Sequence, residues 1–337
     1  MLIKKSIAIL LVVIPSLALS QVPQQAFIAP DAIKSLLLDI TRTQSACVAV
    51  GERGHILVAD AQCQGWQQVN VPSLATLTAV DFVGQQGWVV GHDATILASQ
   101  DGGLTWSVQY FAPELEKPLL DVLFFDAQHG IAVGAYGTFL RTLDGGATWS
   151  VELHAELLSQ DDRDYLADIK QEDEALYVQE LSGILPHFNR VSFDGDKVFL
   201  AGEAGLLAVS NDMGKSWQRM EVDYIGSFFD IKLNLAGQVI AVGLRGNVFV
   251  LDPESQEWNA LQTNISFTLN SIVLLNKNST LVVGNNGAML DISADTITFK
   301  QTDDGKALIN AVVVDDGIVA VSEVGLKTLD KKVVASE

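Results

Sequence analysis

The stretch Val133-Gly-Ala-Tyr-Gly-Thr-Phe-Leu-Arg-Thr-Leu-Asp-Gly-Gly-Ala-Thr-Trp149 contains two short phrases that recur along the chain. Its first half, an apolar residue followed by Gly-x-x-Gly and an apolar run, is typical of a β-hairpin. Seven copies follow one another, with the first glycine or its equivalent at positions 51, 91, 134, 202, 243, 284 and 322. The spacings are 40, 43, 68, 41, 41 and 38 residues, so the chain is built of repeats of about 40 residues.

The second half of the stretch recurs after three of the hairpins and predicts a turn. An Asp carboxylate can accept nearby backbone N–H groups, a glycine can adopt positive φ, and the Trp can be buried between sheets. This phrase matches the Asp box, S/T-x-D-x-G-x-S/T-W, of bacterial neuraminidase repeats, and it is an element of the fold with no catalytic meaning. Its structural residues are Asp101, Gly103, Trp106, Asp144, Gly146, Trp149, Asp212, Gly214 and Trp217.

Each hairpin is preceded by one further apolar strand, which completes a four-stranded unit. The expected strands are Leu36–Ile40, Leu77–Phe82, Leu119–Phe125, Asn189–Phe193, Phe228–Leu233, Leu269–Leu275 and Leu308–Val314. Seven such units predict an all-β fold, a seven-bladed β-propeller of four-stranded blades formed by residues 21–337. Because little sequence follows the last hairpin, we expect Gln25–Ile28 to supply the outer strand of the seventh blade.

The 68-residue spacing marks an insertion of about 27 residues between blades 3 and 4, at about 155–185. Residues Glu152 to Glu180 hold ten acidic and two basic side chains, and they predict one or two short amphipathic helices. Two interpretations stay open, an excursion that binds a partner and a solvated acidic loop on the rim.

The first twenty residues predict a secretory signal peptide. Lys4 and Lys5 precede an apolar run, and Ala18-Leu19-Ser20 is typical of a cleavage site. We therefore expect an exported protein, periplasmic or possibly extracellular, that reaches a membrane only through a partner. In an oxidising compartment, Cys47 at the start of a second strand and Cys63 in the following turn are expected to form a disulfide.

Composition limits the function. The 337 residues include 41 Asp and Glu against 21 Lys and Arg, a net charge of −20, so a nucleic-acid partner is not expected. The apolar content of 48% is explained by strands that are buried on both faces. The five histidines show no ligand spacing, so no metal site is expected. We also expect no cofactor and no catalytic residue.

The hairpin turns and the insertion share one end of the predicted propeller, because successive strands alternate in direction. The turn residues differ chemically from blade to blade, as those of a binding face would, although unconstrained turn tips would also vary. The candidate binding residues are Arg53, His92, Tyr136, Glu203, Arg245 and Asn285.

With its Asp boxes, its Gly-x-x-Gly hairpins and phrases such as Gly87-Trp-Val-Val-Gly91, the chain resembles the photosystem II stability/assembly factor-like family. The resemblance covers nearly the whole mature chain and fits a member from a heterotrophic bacterium. It implies a non-catalytic protein that binds a partner and assists assembly or stability of a membrane protein complex. For this chain we expect a monomer whose partner lies in the cell envelope. Photosynthetic members use a patch of arginines, and this chain holds seven, Arg42, Arg53, Arg141, Arg163, Arg190, Arg219 and Arg245.

Two other functions stay open on the sequence. A propeller can bind a small ligand in its central funnel, and a sialidase-like glycosidase also carries Asp boxes. The glycosidase requires an arginine cluster, a Tyr/Glu nucleophile pair and an acid. None of the tyrosines at positions 110, 136, 165, 177 and 224 lies in such a pattern.

Overall fold

The computed structural model describes residues 23–293 and 296–330 and has seven antiparallel sheets arranged in chain order. The predicted signal peptide, residues 1–20, lies outside the described residues. The first strands of neighbouring sheets contact one another around the whole ring, including the last sheet with the first. The chain is therefore a seven-bladed propeller, as the repeats predict.

Blades 1 to 3 contain four strands each. The strands are β1 (Leu37–Arg42), β2 (Ala46–Gly51), β3 (Ile56–Asp60) and β4 (Gln67–Gln68); β5 (Leu77–Val83), β6 (Gln86–Gly91), β7 (Thr95–Ser99) and β8 (Ser107–Tyr110); and β9 (Leu119–Phe124), β10 (Gly130–Gly134), β11 (Phe139–Thr142) and β12 (Ser150–Val151).

Blades 4 to 6 also contain four strands, and blade 7 contains three among the described residues. The strands are β13 (Phe188–Phe193), β14 (Val198–Gly202), β15 (Leu207–Ser210) and β16 (Gln218–Met220); β17 (Phe228–Leu233), β18 (Val239–Gly243), β19 (Val248–Leu251) and β20 (Trp258–Ala260); β21 (Leu269–Asn276), β22 (Ser279–Gly284), β23 (Ala288–Ile292) and β24 (Ile297–Gln301); and β25 (Leu308–Val314), β26 (Gly317–Ser322) and β27 (Gly325–Leu329).

The second strand of each blade is buried along its length because it is covered by the neighbouring blades on both faces. This explains why these strands are continuous apolar runs, without alternation. The outermost strands of blades 1 to 6, such as Ser150–Val151, are short and largely exposed. Burial is thus greatest at the second strand of each blade and decreases toward the rim.

The first glycine of each Gly-x-x-Gly phrase has a role different from the one the pattern suggests. Gly51 and Gly134 have φ values of −174° and −169°, which is extended backbone that any residue adopts. A Cβ at either position would lie 2.2 Å from the carbonyl oxygen that precedes the inner strand, Leu36 O or Pro118 O. These glycines are required because the second strand approaches that carbonyl closely, and the turn itself depends on the second glycine.

The insertion lies between β12 and β13, the adjoining strands of blades 3 and 4. It consists of α1 (Gln160–Glu172) and α2 (Glu174–Ile184), and it follows a short 3-10 helix at Ala155–Leu157. Ser159 and Asp173 cap the two helices by accepting backbone N–H groups. Neither helix of the described residues is long and apolar enough to cross a membrane.

The N-terminal segment does not complete the seventh blade, so that prediction was wrong. Ala26 N donates to Val71 O at 2.8 Å, and the Ala26 side chain packs with Val48 and Val71 of blade 1. The segment fits against blade 1 because residue 54 is a glycine. A Cβ on Gly54 would lie 3.1 Å from Ala26 Cβ, which is closer than such atoms normally pack. Only small residues allow the segment to cross the hairpin of blade 1.

Candidate protein-binding face

The second-to-third-strand turns lie at one end of the propeller, which we call the hairpin face. In blade 1, His55 N donates to Glu52 O at 3.0 Å, and the two central residues, Arg53 and Gly54, have φ values of 56° and 71°. Two successive left-handed residues within such a hydrogen bond define a type I′ turn. The same positive φ occurs at Tyr136, Ala204, Arg245 and Asn286, each followed by a left-handed glycine.

This backbone favours some side chains at its first central position and disfavours others. Type I′ turns favour Asn-Gly, which blade 6 has at Asn286-Gly287. Blades 1, 3 and 5 instead have Arg53, Tyr136 and Arg245, for which a left-handed conformation costs about 1 kcal/mol. Large side chains are therefore displayed on the hairpin face at positions where the backbone does not favour them.

The seven arginines differ in whether the fold uses them. Arg141, Arg163 and Arg219 donate to backbone carbonyls around the insertion, and Arg42 and Arg190 bond within and between blades. Arg53 and Arg245 are exposed, and within the described part of the chain they form no hydrogen bond or ion pair. Two guanidinium groups at equivalent turn positions thus remain available on this face.

Tyr136 lies where the hairpin face meets the insertion, and it is 51% exposed. Its ring contacts the His187 ring edge to face at 4.5 Å between centroids, and Lys117 Nζ lies 5.9 Å from the ring centroid. Lys117 also donates to Ser182 O in the last turn of α2. His187 Nδ1 is 3.5 Å from Glu203 Oε2, so two of the predicted residues, Tyr136 and Glu203, meet around one histidine.

The remaining predicted residues lie apart from that group. His92 is exposed in the turn of blade 2, and Asn285 Oδ1 accepts a hydrogen bond from Asn270 Nδ2 within blade 6. Arg53 and Arg245 belong to blades 1 and 5. The six predicted residues therefore share a face, and within the residues the structure describes they do not form one connected cluster.

The insertion is anchored to the propeller and adds to its core. Leu157, Leu158, Leu166, Leu181 and Leu185 are buried in one cluster with residues of blades 3 and 4. Leu185 also packs on the turn of blade 3, where a Cβ on Gly137 would lie 2.2 Å from Leu185 Cβ. The helical pair is thus a fixed extension of the hairpin face.

A cluster of polar side chains links the beginning of the insertion to blades 3 and 4. Both ring nitrogens of buried His154 face carboxylates, with Nδ1 2.9 Å from Glu156 Oε1 and Nε2 3.2 Å from Glu152 Oε2. Glu152 also pairs with Arg141 at 2.7 Å, and Arg141 donates to Gly214 O of the next blade. Burial acts to raise the pKa of Glu156, but the interaction with His154 and hydrogen bonds from backbone N–H groups together outweigh it, and the net effect is a lowered pKa.

The opposite end, which we call the Asp-box face, uses its polar groups within the fold. Asp212 accepts hydrogen bonds from Ser210 Oγ and from the backbone and hydroxyl of Ser216, and although burial acts in the opposite direction these bonds lower its pKa to about 2. Asp101 and Asp144 repeat the arrangement with Thr105 and Thr148. Gly103, Gly146 and Gly214 have φ values of 92°, 91° and 74°. A Cβ added at these positions would lie 3.5, 3.5 and 3.1 Å from the rings of Trp106, Trp149 and Trp217, respectively.

Blade 1 lacks an Asp box and has a disulfide in its place. Cys47 in β2 and Cys63 in the turn after β3 are bonded, with their Cα atoms 5.2 Å apart. Cys63 has a φ of 56°, a left-handed conformation like that of the Asp-box glycines.

The channel contains a network that the sequence analysis missed. Carboxylates of the inner strands accept backbone N–H groups of the next blade, Asp39 from Val80 at 2.9 Å, Asp121 from Val191 at 2.7 Å and Asp230 from Ile272 at 2.8 Å. Arg190 lies 3.3 Å from Asp121, and Lys232 lies 3.0 Å from Asp230. The sequence does contain a sign of this network, an apolar residue followed two positions later by Asp, which begins at Leu37, Leu119 and Phe228. The role of these aspartates cannot be recognised from one repeat, because each carboxylate bonds to the neighbouring blade of the ring.

Some of these polar side chains also bond to one another. Asn310 Nδ2 donates to Asp39 at 2.6 Å, and Ser271 Oγ donates to Asn310 Oδ1 at 2.7 Å, which joins blade 6 through blade 7 to blade 1. No cluster of three or more His, Cys, Asp or Glu side chains within residues 23–293 and 296–330 has an arrangement that could hold a metal.

Comparison with known proteins places the chain in a family. The Photosystem II assembly protein Ycf48 of Synechococcus sp. (strain JA-3-3Ab) is 34% identical over 204 residues, which is 59% of this chain and 53% of that protein. The corresponding protein of Synechococcus sp. (strain JA-2-3B'a(2-13)) is 31% identical over 198 residues, 57% of this chain and 52% of that protein. The matched region thus spans about half the length of these curated relatives.

Solved structures agree in fold. A structure described as YCF48 bound to D1 peptide superposes with a TM-score of 0.66 at 16% identity, covering 91% of this chain and 98% of the other. YCF48 from Cyanidioschyzon merolae gives the same TM-score and identity, covering 93% and 100%. The profile of the family described as Photosynthesis system II assembly factor YCF48 matches residues 58–117, 109–225 and 191–321, which confirms the predicted resemblance. The chain belongs to this family of assembly factors.

Proposed function

We propose that this protein is an exported, non-catalytic propeller that binds a protein partner and assists assembly or stability of a membrane protein complex in the cell envelope. The hairpin face, together with the anchored insertion, is the surface that binds. Export rests on the first twenty residues of the sequence, and the protein partner rests on the family and on the relative that is described as bound to a D1 peptide.

One observation supports this assignment of the face above the others. Arg53 and Arg245 occupy turn positions that favour asparagine, and the fold makes no hydrogen bond or ion pair with either among the described residues. Residues held in unfavourable backbone conformations cluster at binding sites, where the conformation serves recognition. Exposed arginines also rank among the residues that contribute most to protein interfaces.

The alternatives receive less support. The central funnel is lined by polar groups that bond one another, as Asp39, Ser271 and Asn310 do, and this leaves few groups to select a ligand. A sialidase-like site requires clustered arginines for a substrate carboxylate, but five of the seven arginines bond within the fold, and the other two lie on blades 1 and 5.

The experiment is quantitative affinity capture from the cell envelope with the wild-type protein and the double variant Arg53→Asn/Arg245→Asn. Asparagine is favoured in these turns, so the variant should fold. The matched control is Lys197→Asn/Lys215→Asn, which removes two exposed positive charges from turns at the Asp-box end. We expect about a tenfold loss of captured partner with the arginine variant and no loss with the lysine variant. Equal capture by both variants would refute the hairpin face as the site.

The insertion requires a different test from deletion, because removing residues 155–185 would open the core around Leu157, Leu166 and Leu181. Asp161→Asn/Asp168→Asn/Glu172→Gln changes three exposed side chains and keeps the packing. Reduced capture would assign the insertion to the interface, and unchanged capture would support the interpretation of a solvated acidic surface.

A further inference from the structure

Blade 7 ends in an edge strand at the place where, in blades 1 to 6, a third strand pairs with a fourth. The N-terminal segment, which could have filled this place, is tied to blade 1. Ala29 N donates to Gln68 Oε1 at 2.7 Å, and Gln68 Nε2 donates to Phe27 O at 2.8 Å. The outer side of β27 (Gly325–Leu329) is therefore not paired with another strand within residues 23–293 and 296–330.

The other blades show which backbone groups of β27 a fourth strand would bind. In blades 1, 3 and 5, one equivalent carbonyl of the third strand accepts an N–H of the outer segment at 2.9–3.0 Å, namely that of Ile56, Phe139 or Val248. Leu326 is the equivalent residue of blade 7, because it pairs with Val321 in the same register. Alternate residues of a strand point their backbone groups to the same side, so the N–H and C=O of Leu326 and Thr328 face outward. In the part of the chain that the structure describes, these four groups have no hydrogen-bond partner.

The side of this edge that faces blade 6 is a cleft of about 590 Å³, whose apolar part is formed by Met289 and Leu329. In blades 1 to 5, a tryptophan beside the outer strand belongs to the apolar cluster shared with the preceding blade; these are Trp66, Trp106, Trp149, Trp217 and Trp258. The cluster between blades 6 and 7 contains no aromatic side chain among the described residues. A fourth strand of blade 7 could therefore bury a large apolar side chain in this cleft.

The charges that line the cleft are unequal. Asp303, Asp304 and Asp330 contribute three carboxylates, and Lys327 contributes one ammonium group. A lysine on an edge strand commonly discourages pairing with another chain. Here, however, Lys327 Nζ pairs with the carboxylate of Asp304 in the connection from blade 6, and the lysine side chain is 16% exposed. The lysine thus leaves the backbone edge accessible, and the surplus of carboxylates favours an occupant with basic side chains.

We propose that the outer edge of blade 7 is a second binding surface, which takes up an extended segment of a partner protein as the fourth strand of the blade. The segment pairs with the outward backbone groups of Leu326 and Thr328, places a large apolar side chain beside Met289 and Leu329, and places a basic side chain near Asp303. In strand addition the main chain supplies affinity, and alternate side chains supply specificity. This surface does not include the arginines of the hairpin face, so the two proposals can fail independently.

The test measures amide hydrogen exchange of the protein with a probe peptide, acetyl-Lys-Thr-Trp-Thr-Val-Thr-Lys-amide. Its lysines, tryptophan and valine lie on one face of an extended strand. We expect saturable binding and about tenfold slower exchange at the amides of Leu326 and Thr328. A matched peptide with glutamate in place of both lysines should bind about tenfold more weakly, because the cleft carries more carboxylates than cations.

A pair of variants separates the backbone edge from the side chain. Thr328→Pro removes an outward N–H, and proline is tolerated on an edge strand whose N–H faces solvent. This variant should lose binding of the lysine peptide. The matched control Thr328→Ala removes the same hydroxyl group, keeps the N–H, and should bind the peptide as the wild type does. Should Thr328→Pro not fold, the exchange measurement on the wild type with the lysine and glutamate peptides decides the matter.

The proposal is overturned if the lysine peptide leaves exchange at Leu326 and Thr328 unchanged, or if Thr328→Pro binds it as well as Thr328→Ala does. Two other occupants would also overturn it. If both amides are protected without peptide and lose that protection when residues 331–337 are removed, the chain fills its own edge. If their protection rises with protein concentration together with a dimer in analytical ultracentrifugation, the occupant is a second copy of this chain.

Discussion

The two ends of the propeller use repeated turns for opposite purposes. On the Asp-box face, Asp101, Asp144 and Asp212 repeat one set of hydrogen bonds, so these side chains stabilise the turns in which they lie. On the hairpin face the backbone repeats just as regularly, but the side chains differ, and Arg53 and Arg245 form no ion pair within the described residues. Where a fold repeats side chains together with backbone, the side chains hold the structure. Where only the backbone repeats, the side chains are available for recognition.

The largest expected effect concerns the disulfide of blade 1, at a place where the Asp box is missing. Cys47→Ala/Cys63→Ala should lower the free energy of unfolding by about 3 kcal/mol, since the bond closes a loop of 16 residues in the unfolded chain. Denaturant unfolding measures the loss, and reduction of the wild type serves as the control because it should cause a similar loss. Partner capture by the folded variant should not change. An unaltered unfolding midpoint in both cases would contradict a structural role for the bond.

An intermediate effect is expected within an intact Asp box. Asp212→Ala removes three hydrogen bonds to an exposed carboxylate, and it should cost about 1–2 kcal/mol of stability at neutral pH. Because the pKa of Asp212 is lowered to about 2, this contribution is present above pH 4 and disappears as pH falls toward 2.

Thermal unfolding at pH 7 and pH 2.5 measures this difference. The control Asp196→Ala removes an exposed carboxylate of the same blade and should change stability by less than about 0.5 kcal/mol. The account of the Asp-box face would be wrong if the two variants behaved alike at pH 7.

The smallest expected effect on stability lies on the hairpin face and has the opposite sign. Arg53→Asn should stabilise the fold by up to about 1 kcal/mol, because asparagine tolerates the left-handed position better than arginine. The reciprocal change Asn286→Arg should destabilise blade 6 by a similar amount. Chemical denaturation of the pair measures both, and a loss of stability in Arg53→Asn would show that the fold uses this guanidinium after all.

The sequence predicts the individual strands well because the residues that determine each strand lie within a single repeat. The inner strands of blades 5 and 7, Phe228–Leu233 and Leu308–Val314, begin and end at the predicted residues. Cys47 and Cys63 lie together as the four-stranded repeat predicts, since the start of one strand faces the end of the next.

Features that depend on the closed ring could not be predicted in this way. The position of Gln25–Ile28 depends on how Ala26 fits against Gly54, which no strand pattern contains. The channel network joins Asp39 to Asn310, residues 271 positions apart, and it exists because the first and last blades meet. Likewise, the sequence alone does not tell that, among the described residues, five of the seven arginines bond within the fold and Arg53 and Arg245 do not.

The most direct measurement is site-specific photo-crosslinking in living cells. A benzophenone amino acid is placed in turn at Arg53, Tyr136 and Arg245 on the hairpin face and at Leu104, Leu143 and Met213, the exposed apolar residues of the three Asp-box turns. The account predicts that the first three positions crosslink to a common partner protein and that the second three do not. Crosslinks that arise from the Asp-box positions, with none from the hairpin face, would contradict it.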